Sequence, residues 1–195
     1  MARPRKFDEA QVLEAVRDEF WAKGYTATSL DDLMKATGLG KGSLYGAFGD
    51  KHQLFLKALG IYAGERVVGI QEALAGEGSA VERLRAAFDV PEPAGGDVQE
   101  ATRGCLLANS STELAALDDE VLACARKTYQ AVEDLLVDIV ALAVAEGDLP
   151  AGTVPRDLGR LLFAVQQGVE FLSKTGMEPA ALRQIGRSAA AALLR

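Results

Sequence analysis

The chain is predicted to be all-α: an N-terminal three-helix unit followed by a larger helical bundle, about nine helices in total. Three observations lead there. Apolar residues recur at three- and four-residue spacing through most of the sequence. Side chains suited to helix N-caps precede several of those runs, and glycines follow them. Alternating apolar–polar stretches and Asn-Gly or Asp-Gly hairpin signals are missing.

Taken in order, Asp8 with Gln11 reads as a capping box. Val12, Leu13, Val16, Phe20 and Trp21 follow at helical spacing until Gly24. Thr28 or Ser29 caps a second, short helix, whose first turn holds Asp31 and Asp32 where the helix dipole favours them. Its apolar stripe is Leu30, Leu33 and Met34. Thr37-Gly38-Leu39-Gly40 is a tight turn, and Lys41 to Ala47 forms a third helix of about two turns. Asp50 with Gln53 opens a long fourth helix through Leu54, Phe55, Ala58, Leu59, Tyr62 and Ala63 to about Ala75. Ser79 then caps Val81 to Phe88, and Val90 to Gly96 is a loop. Leu106 and Leu107 belong to a short helix that ends before a turn at Leu117 to Asp119. Val121 to Ala145, Asp157 to Leu172 and Pro179 to Leu194 complete the bundle, with no internal repeat.

Composition narrows the class. Hydrophobic residues make up 49% of the 195 residues and charged residues 25%, as in ordinary soluble globular chains. No apolar run has the length of a membrane span. The basic start, Arg3-Pro4-Arg5-Lys6, leads into an amphipathic segment and not an apolar one, so it does not read as a secretory signal. Cys105 and Cys124 are too few for a disulfide framework or a metal quartet, and His52 is the only histidine. No metal or cofactor is therefore expected, and a reducing cytoplasm is the simplest setting. The net charge of −7 argues against a generally basic coat. It is unevenly spread, however: residues 1–60 hold 9 Lys and Arg against 8 Asp and Glu, and residues 61–195 hold 12 against 20. That split points weakly to a nucleic-acid-binding N-terminal part.

The stretch Gly38-Leu39-Gly40-Lys41-Gly42-Ser43-Leu44-Tyr45-Gly46-Ala47-Phe48 is too rich in glycine to be helical on propensity alone. A short helix, a glycine turn and a second short helix is the helix-turn-helix pattern. Leu33, Leu39, Leu44 and Phe48 can pack both helices onto Phe20 and Trp21, which leaves Lys41, Gly42, Ser43, Tyr45 and Gly46 facing out. Small residues there let the backbone approach a duplex. Lys41 and Tyr45 can reach phosphates, and Ser43 a phosphate or a base edge.

Residues 26–54, from the Thr before helix two through the apolar-Gly-apolar turn and Lys41-Gly42-Ser43-Leu44-Tyr45 to Phe48, Lys51 and Leu54, closely resemble the DNA-binding signature of the TetR/AcrR family of bacterial transcription regulators. The resemblance implies phosphate contacts from Thr28, Lys41, Tyr45 and Lys51, and places Ser43, with Lys41 and Gly42, at the major groove. His52, beside Lys51 near a helix N-terminus, is expected to touch phosphate or water. Gly40 stands where a Ser or Thr often caps the recognition helix, and Gly46-Ala47 replaces bulkier residues. Fewer base contacts and more shape readout are expected. The basic arm Arg3 to Lys6 is a candidate for an adjacent groove.

The family resemblance also implies a C-terminal bundle that binds an effector and dimerises, dividing the chain into residues 1–58 and 59–195. Leu158, Leu161, Leu162 and Val165, with Leu182, Ile185 and Ala189, are the candidate dimer interface, because they sit on apolar faces of the last two helices among small neighbours. Arg103-Gly104-Cys105-Leu106-Leu107-Ala108-Asn109 resembles a Gly-Cys-apolar-apolar-x-Asn segment in one branch of the family, some of whose members respond to electrophiles or oxidants. Such reactivity needs thiolate character, which Arg103 or a helix N-terminus can supply; the alternative is an inert, buried Cys105. Cys124 reads as core. The candidate effector pocket combines Cys105, Asn109, Thr112, Tyr129, Gln166, Gln167 and Glu170 with Phe88, Phe163 and Phe171 as walls.

The expectation is a homodimeric regulator acting on double-stranded operator DNA, a repressor released by a small-molecule or electrophilic effector. Two rivals stay open. One is a constitutive architectural DNA-binding protein without an effector. The other is an enzyme with its site in the C-terminal half, which no paired nucleophile and base, metal motif or phosphate loop supports.

Overall fold

The computed structural model describes residues 7–89 and 102–195. The arm Arg3 to Lys6 and the loop Val90 to Gly96 lie outside them. Nine helices are present among the described residues, and no strand. They are α1 (Glu9–Lys23), α2 (Leu30–Thr37), α3 (Lys41–Phe48), α4 (Lys51–Leu74), α5 (Ala80–Ala87), α6 (Leu106–Leu114), α7 (Asp119–Glu146), α8 (Pro155–Lys174) and α9 (Pro179–Leu193). None is long and apolar enough to cross a membrane.

Local chemistry sets the boundaries. Asp8 accepts from the Ala10 and Gln11 N–H groups, and Asp50 from Gln53 N–H. Ser29–Asp32 and Ser79–Glu82 form reciprocal capping boxes at α2 and α5. Ser29, not Thr28, is thus the cap of α2. Gly38 ends α2 with φ +67°, a left-handed conformation in which a side chain would be strained. Gly40 occupies the N-cap of α3 and contributes no side-chain hydrogen bond.

Two apolar clusters hold the chain together. The first joins Val16 and Phe20 of α1, Leu33 of α2, Leu44 and Phe48 of α3, and Leu54, Phe55 and Leu59 of α4. The Phe20 and Phe55 rings meet edge to face at 5.0 Å, a favourable arrangement of the two quadrupoles. This cluster continues into the second half through Leu106, Leu107 and Leu114 of α6 and Val121 of α7. The second cluster lies between the end of α4, α5, the rest of α7, α8 and α9, around Leu84, Val132, Leu136, Val140, Leu162 and Leu194. Helices α4 and α7 run through both clusters and tie one to the other. At Gly159 an added Cβ would lie 2.8 Å from Val137 Cγ2, so α8 approaches α7 closely there.

Candidate nucleic-acid interface and the cavity behind it

Buried Leu44 and Phe48 fix the rotation of α3 about its axis. Lys41, Gly42, Ser43 and Gly46 are consequently exposed, and Tyr45 is half-buried. Nothing lies within 4 Å of where a Cβ would sit at Gly42 or Gly46. Packing within the chain therefore does not require glycine at either position, although each costs roughly 1 kcal/mol in a helix. Partial burial raises the pKa of the Tyr45 hydroxyl, which leaves it a neutral donor.

Thr28 and His52 turn to partners within the chain, and Lys51 stands over an aromatic ring. Thr28 is 1% exposed, and its hydroxyl donates to Gly24 O at 2.6 Å, so this side chain braces the α1–α2 loop and has no hydroxyl left for phosphate. His52 Nε2 is 2.6 Å from Asp118 Oδ2 at the N-cap of α7, which ties α4 to the second half and commits this ring nitrogen to a partner within the chain. Lys51 is half-buried, with Nζ 4.4 Å from the centroid of the Tyr25 ring.

Behind this unit, α1, α6 and the end of α8 enclose a crevice of about 560 Å³. Of the expected pocket residues, Cys105, Asn109, Thr112 and Glu170 line it, with Phe171 as a wall. Phe88 does not; it belongs to the second apolar cluster, on the α9 side, where its carbonyl oxygen would collide with a side chain at Gly186. Tyr129 and Phe163 pair ring to ring at 5.4 Å, each packed against an apolar cluster, and neither lines the crevice. Gln166 has its side-chain oxygen buried without a hydrogen-bond partner, and Gln167 Nε2 donates to Glu170 Oε2 at 2.9 Å, so neither lines the crevice.

Cys105 is 3% exposed and is the N-cap of α6. Its sulfur accepts from Ala108 N–H at 3.4 Å and from the Tyr62 hydroxyl at 3.5 Å. Burial pushes the Cys124 thiol up. Arg103, the cation expected to act on Cys105, leans over the Trp21 ring and pairs with Asp18 at 3.6 Å.

At its far end α6 carries Glu113, which the sequence did not single out. Its carboxylate accepts from Thr26 N–H at 2.7 Å and Tyr25 N–H at 3.0 Å. At Gly24 an added Cβ would lie 2.9 Å from Glu113 Oε2. At the near end of α6, Trp21 Nε1 donates to Gly104 O at 3.1 Å. Both ends of α6 are therefore anchored on α1 and the loop that follows it.

The face expected to dimerise divides in two. Leu162 and Leu182, at 0% and 6% exposure, point into the chain's own core and are corrected from interface to core. Leu158, Val165, Ile185 and Ala189 are half-buried, and Leu161 is 47% exposed.

The comparisons with known proteins agree with this architecture. A family model described as bacterial regulatory proteins, tetR family, matches residues 12–58. A second, described as tetracyclin repressor-like, C-terminal domain, matches residues 80–189. The chain belongs to the TetR family. It is a DNA-binding transcriptional regulator, and α2, the Gly38 turn and α3 are its helix-turn-helix. The HTH-type transcriptional regulator YezE of Bacillus subtilis (strain 168) is 32% identical over 175 residues, covering 89% of this chain and 90% of that protein. The HTH-type transcriptional repressor ComR of Escherichia coli (strain K12) is 27% identical, covering 94% and 87%. A solved TetR structure, a cysteine mutant of CifR with 26-base-pair double-stranded operator DNA, superposes with a TM-score of 0.76 at 28% identity, covering 99% of this chain and 98% of that one.

Proposed function

We propose that this TetR regulator is a cytoplasmic homodimeric repressor that acts by binding, not catalysis, and is released from its operator by a small molecule or electrophile acting at Cys105. Residues 1–58 read DNA, and residues 59–195 dimerise and sense. One observation carries the effector reading. The sulfur at the head of α6 lines a cavity, while the tail of the same helix holds the α1–α2 loop through Glu113. A compound seated at Cys105 shifts α6, and α6 moves the loop from which α2 and α3 hang. Two recognition helices of a dimer must stand ~34–36 Å apart, or a multiple of that, to match half-sites one helical turn apart, so a displacement of a few ångströms breaks register. The effector achieves this only by binding the released state better than the DNA-bound one. ComR is described as a repressor, and the CifR variant with operator DNA is a cysteine mutant; both support this reading.

For the dimer, the support is an exposed stripe on α8. Leu161, Ala164, Gly168 and Phe171 recur at i, i+3, i+7 and i+10, all exposed, and Phe171 is 68% exposed. A helix face of apolar and small residues at this spacing suits packing against its symmetry mate.

The decisive experiment is operator release. A quinone or aldehyde is expected to release DNA from the parent and not from Cys105→Ser, with the adduct located by mass spectrometry. Equal release from both proteins removes Cys105 from the mechanism and leaves a reversible ligand in the crevice. On the DNA side, Lys41, exposed at the start of α3, together with the open backbone at Gly42 and Gly46, supports close phosphate contact. Lys41→Ala is expected to weaken operator binding with the fold intact and to lower the slope of log affinity against log salt by about one. A parental slope excludes Lys41 from the phosphate contacts.

A further inference from the structure

Tyr25 follows Gly24, whose φ of +81° turns the chain out of α1. Its ring is held on several sides. The Phe20 ring lies nearly parallel to it at 6.0 Å, the Phe55 ring is tilted at 4.9 Å, and the His52 ring meets it edge to face at 6.2 Å. The backbone is fixed as well, since Tyr25 N–H donates to the Glu113 carboxylate. Lys51 Nζ stands over this ring, 4.4 Å from its centroid. Burial raises the pKa of the Tyr25 hydroxyl, so the ring meets the cation as a neutral π face and not as a phenolate.

Lys51 is otherwise poorly placed for stability. It is the first residue of α4, where the helix dipole disfavours a cation, and no acidic residue stands in that first turn. Asp50, the N-cap, accepts from Gln53 N–H instead. The Glu113 carboxylate is near enough to feel the Lys51 charge, but its oxygens accept from the Tyr25 and Thr26 N–H groups. Among the described residues the Lys51 ammonium makes no ion pair or hydrogen bond, so its three N–H donors are left over. An ordered ammonium with free donors at a helix N-terminus, just past the end of α3 at Phe48, suits an anion from outside the chain.

Resting on the reading of residues 1–58 as the part that contacts DNA, we infer that Tyr25 is a positioning residue for operator binding, its ring face holding the Lys51 ammonium where it meets a backbone phosphate. A carboxylate partner would occupy the donors and have to be displaced by the phosphate. The ring attracts the same cation and occupies none of them. The rotamer freedom of the long lysine is then lost on folding and not on binding, which is the gain from preorganisation.

The test uses the full chain with phenylalanine and increasingly fluorinated phenylalanines at position 25. Fluorine withdraws electron density from the ring face while the ring keeps its shape. The probe is a DNA duplex selected by the parent protein from a random pool, titrated at several salt concentrations. Tyr25→Phe keeps the ring face and is the reference. From it, affinity is expected to fall stepwise with fluorine content, by about three- to tenfold in total, the range of a partly exposed cation–π contact. In a Lys51→Ala background the same series is expected to be flat, because the cation that the ring positions is gone. A flat series with Lys51 present overturns the inference. So does an equal fall in the Lys51→Ala background, which assigns the effect to packing. Lys51→Ala with the parental affinity and salt slope removes the phosphate contact itself, and the inference with it.

Discussion

Replacing Leu161 with arginine is expected to give a folded monomer whose operator affinity falls by about 10²–10⁴-fold, the range by which two linked half-site contacts exceed one. Leu161 is 47% exposed, while its neighbour Leu162 is fully buried, so the substitution changes the outer face of α8 and leaves the core in place. Thermal stability of the isolated chain should change little, since surface substitutions of this kind stay within about 0.5 kcal/mol. In a two-fold interface each arginine also faces a symmetry-related surface that carries the same new charge, so the repulsion is counted twice. Val68→Arg, on α4 and also exposed, is the control that adds the same charge off the α8 stripe. Sedimentation gives the association state, and a binding titration at fixed salt gives the affinity. A Leu161→Arg chain that still dimerises and binds as the parent does places the interface elsewhere on the molecule.

What the sequence made legible follows from how local the signals are. Helices α1, α2 and α4 start at acidic or hydroxyl caps, and α1, α2 and α3 stop at glycines, so α1 and α4 start where expected and α1 stops where expected. Pro155 at the first position of α8 is a start signal as well, two residues ahead of the expected start at Asp157. The inward face of α8 was not legible: Leu158, Leu161, Leu162 and Val165 form a broad apolar arc, and only the close approach of Gly159 to Val137 selects which part is core. Thr28 and His52 were read as reaching outward because the motif says which residues lie near DNA, not where each side chain turns. Both turn to partners in the fold, the Gly24 carbonyl and Asp118. Glu113 escaped notice because its partners, the Tyr25 and Thr26 N–H groups, lie far away in sequence.

Glu113→Ala is expected to uncouple the two halves: the operator is still bound, but modification of Cys105 loses at least about tenfold of its effect on affinity, within the usual size of a coupling energy. The physical reason is geometric. Helix α6 has 9 residues, so roughly 13 Å at ~1.5 Å per residue separates the sulfur from the clamp. The clamp consists of two charge-assisted hydrogen bonds to the backbone of the α1–α2 loop. With Glu113 gone, the His52–Asp118 contact and the apolar cluster still hold the halves together, so the fold survives. The stability lost should be about 1–2 kcal/mol, since the carboxylate is partly in water and screening discounts the bonds. The sign of the pH dependence follows from the carboxyl group. Partial burial pushes its pKa up, but the hydrogen bonds from Thr26 and Tyr25 and the Lys51 charge outweigh that and hold it below the usual 4.5. A group with a depressed folded pKa stabilises above its unfolded value and loses that contribution as pH falls through the folded one. The gap in melting temperature between parent and Glu113→Ala is therefore widest near neutrality and closes as pH drops below 4.5. A gap unchanged across that range shows that the carboxylate charge contributes nothing. Release of DNA from Glu113→Ala by the same reagent, with the parental dependence on concentration, shows that the signal from Cys105 reaches the recognition helix by another route.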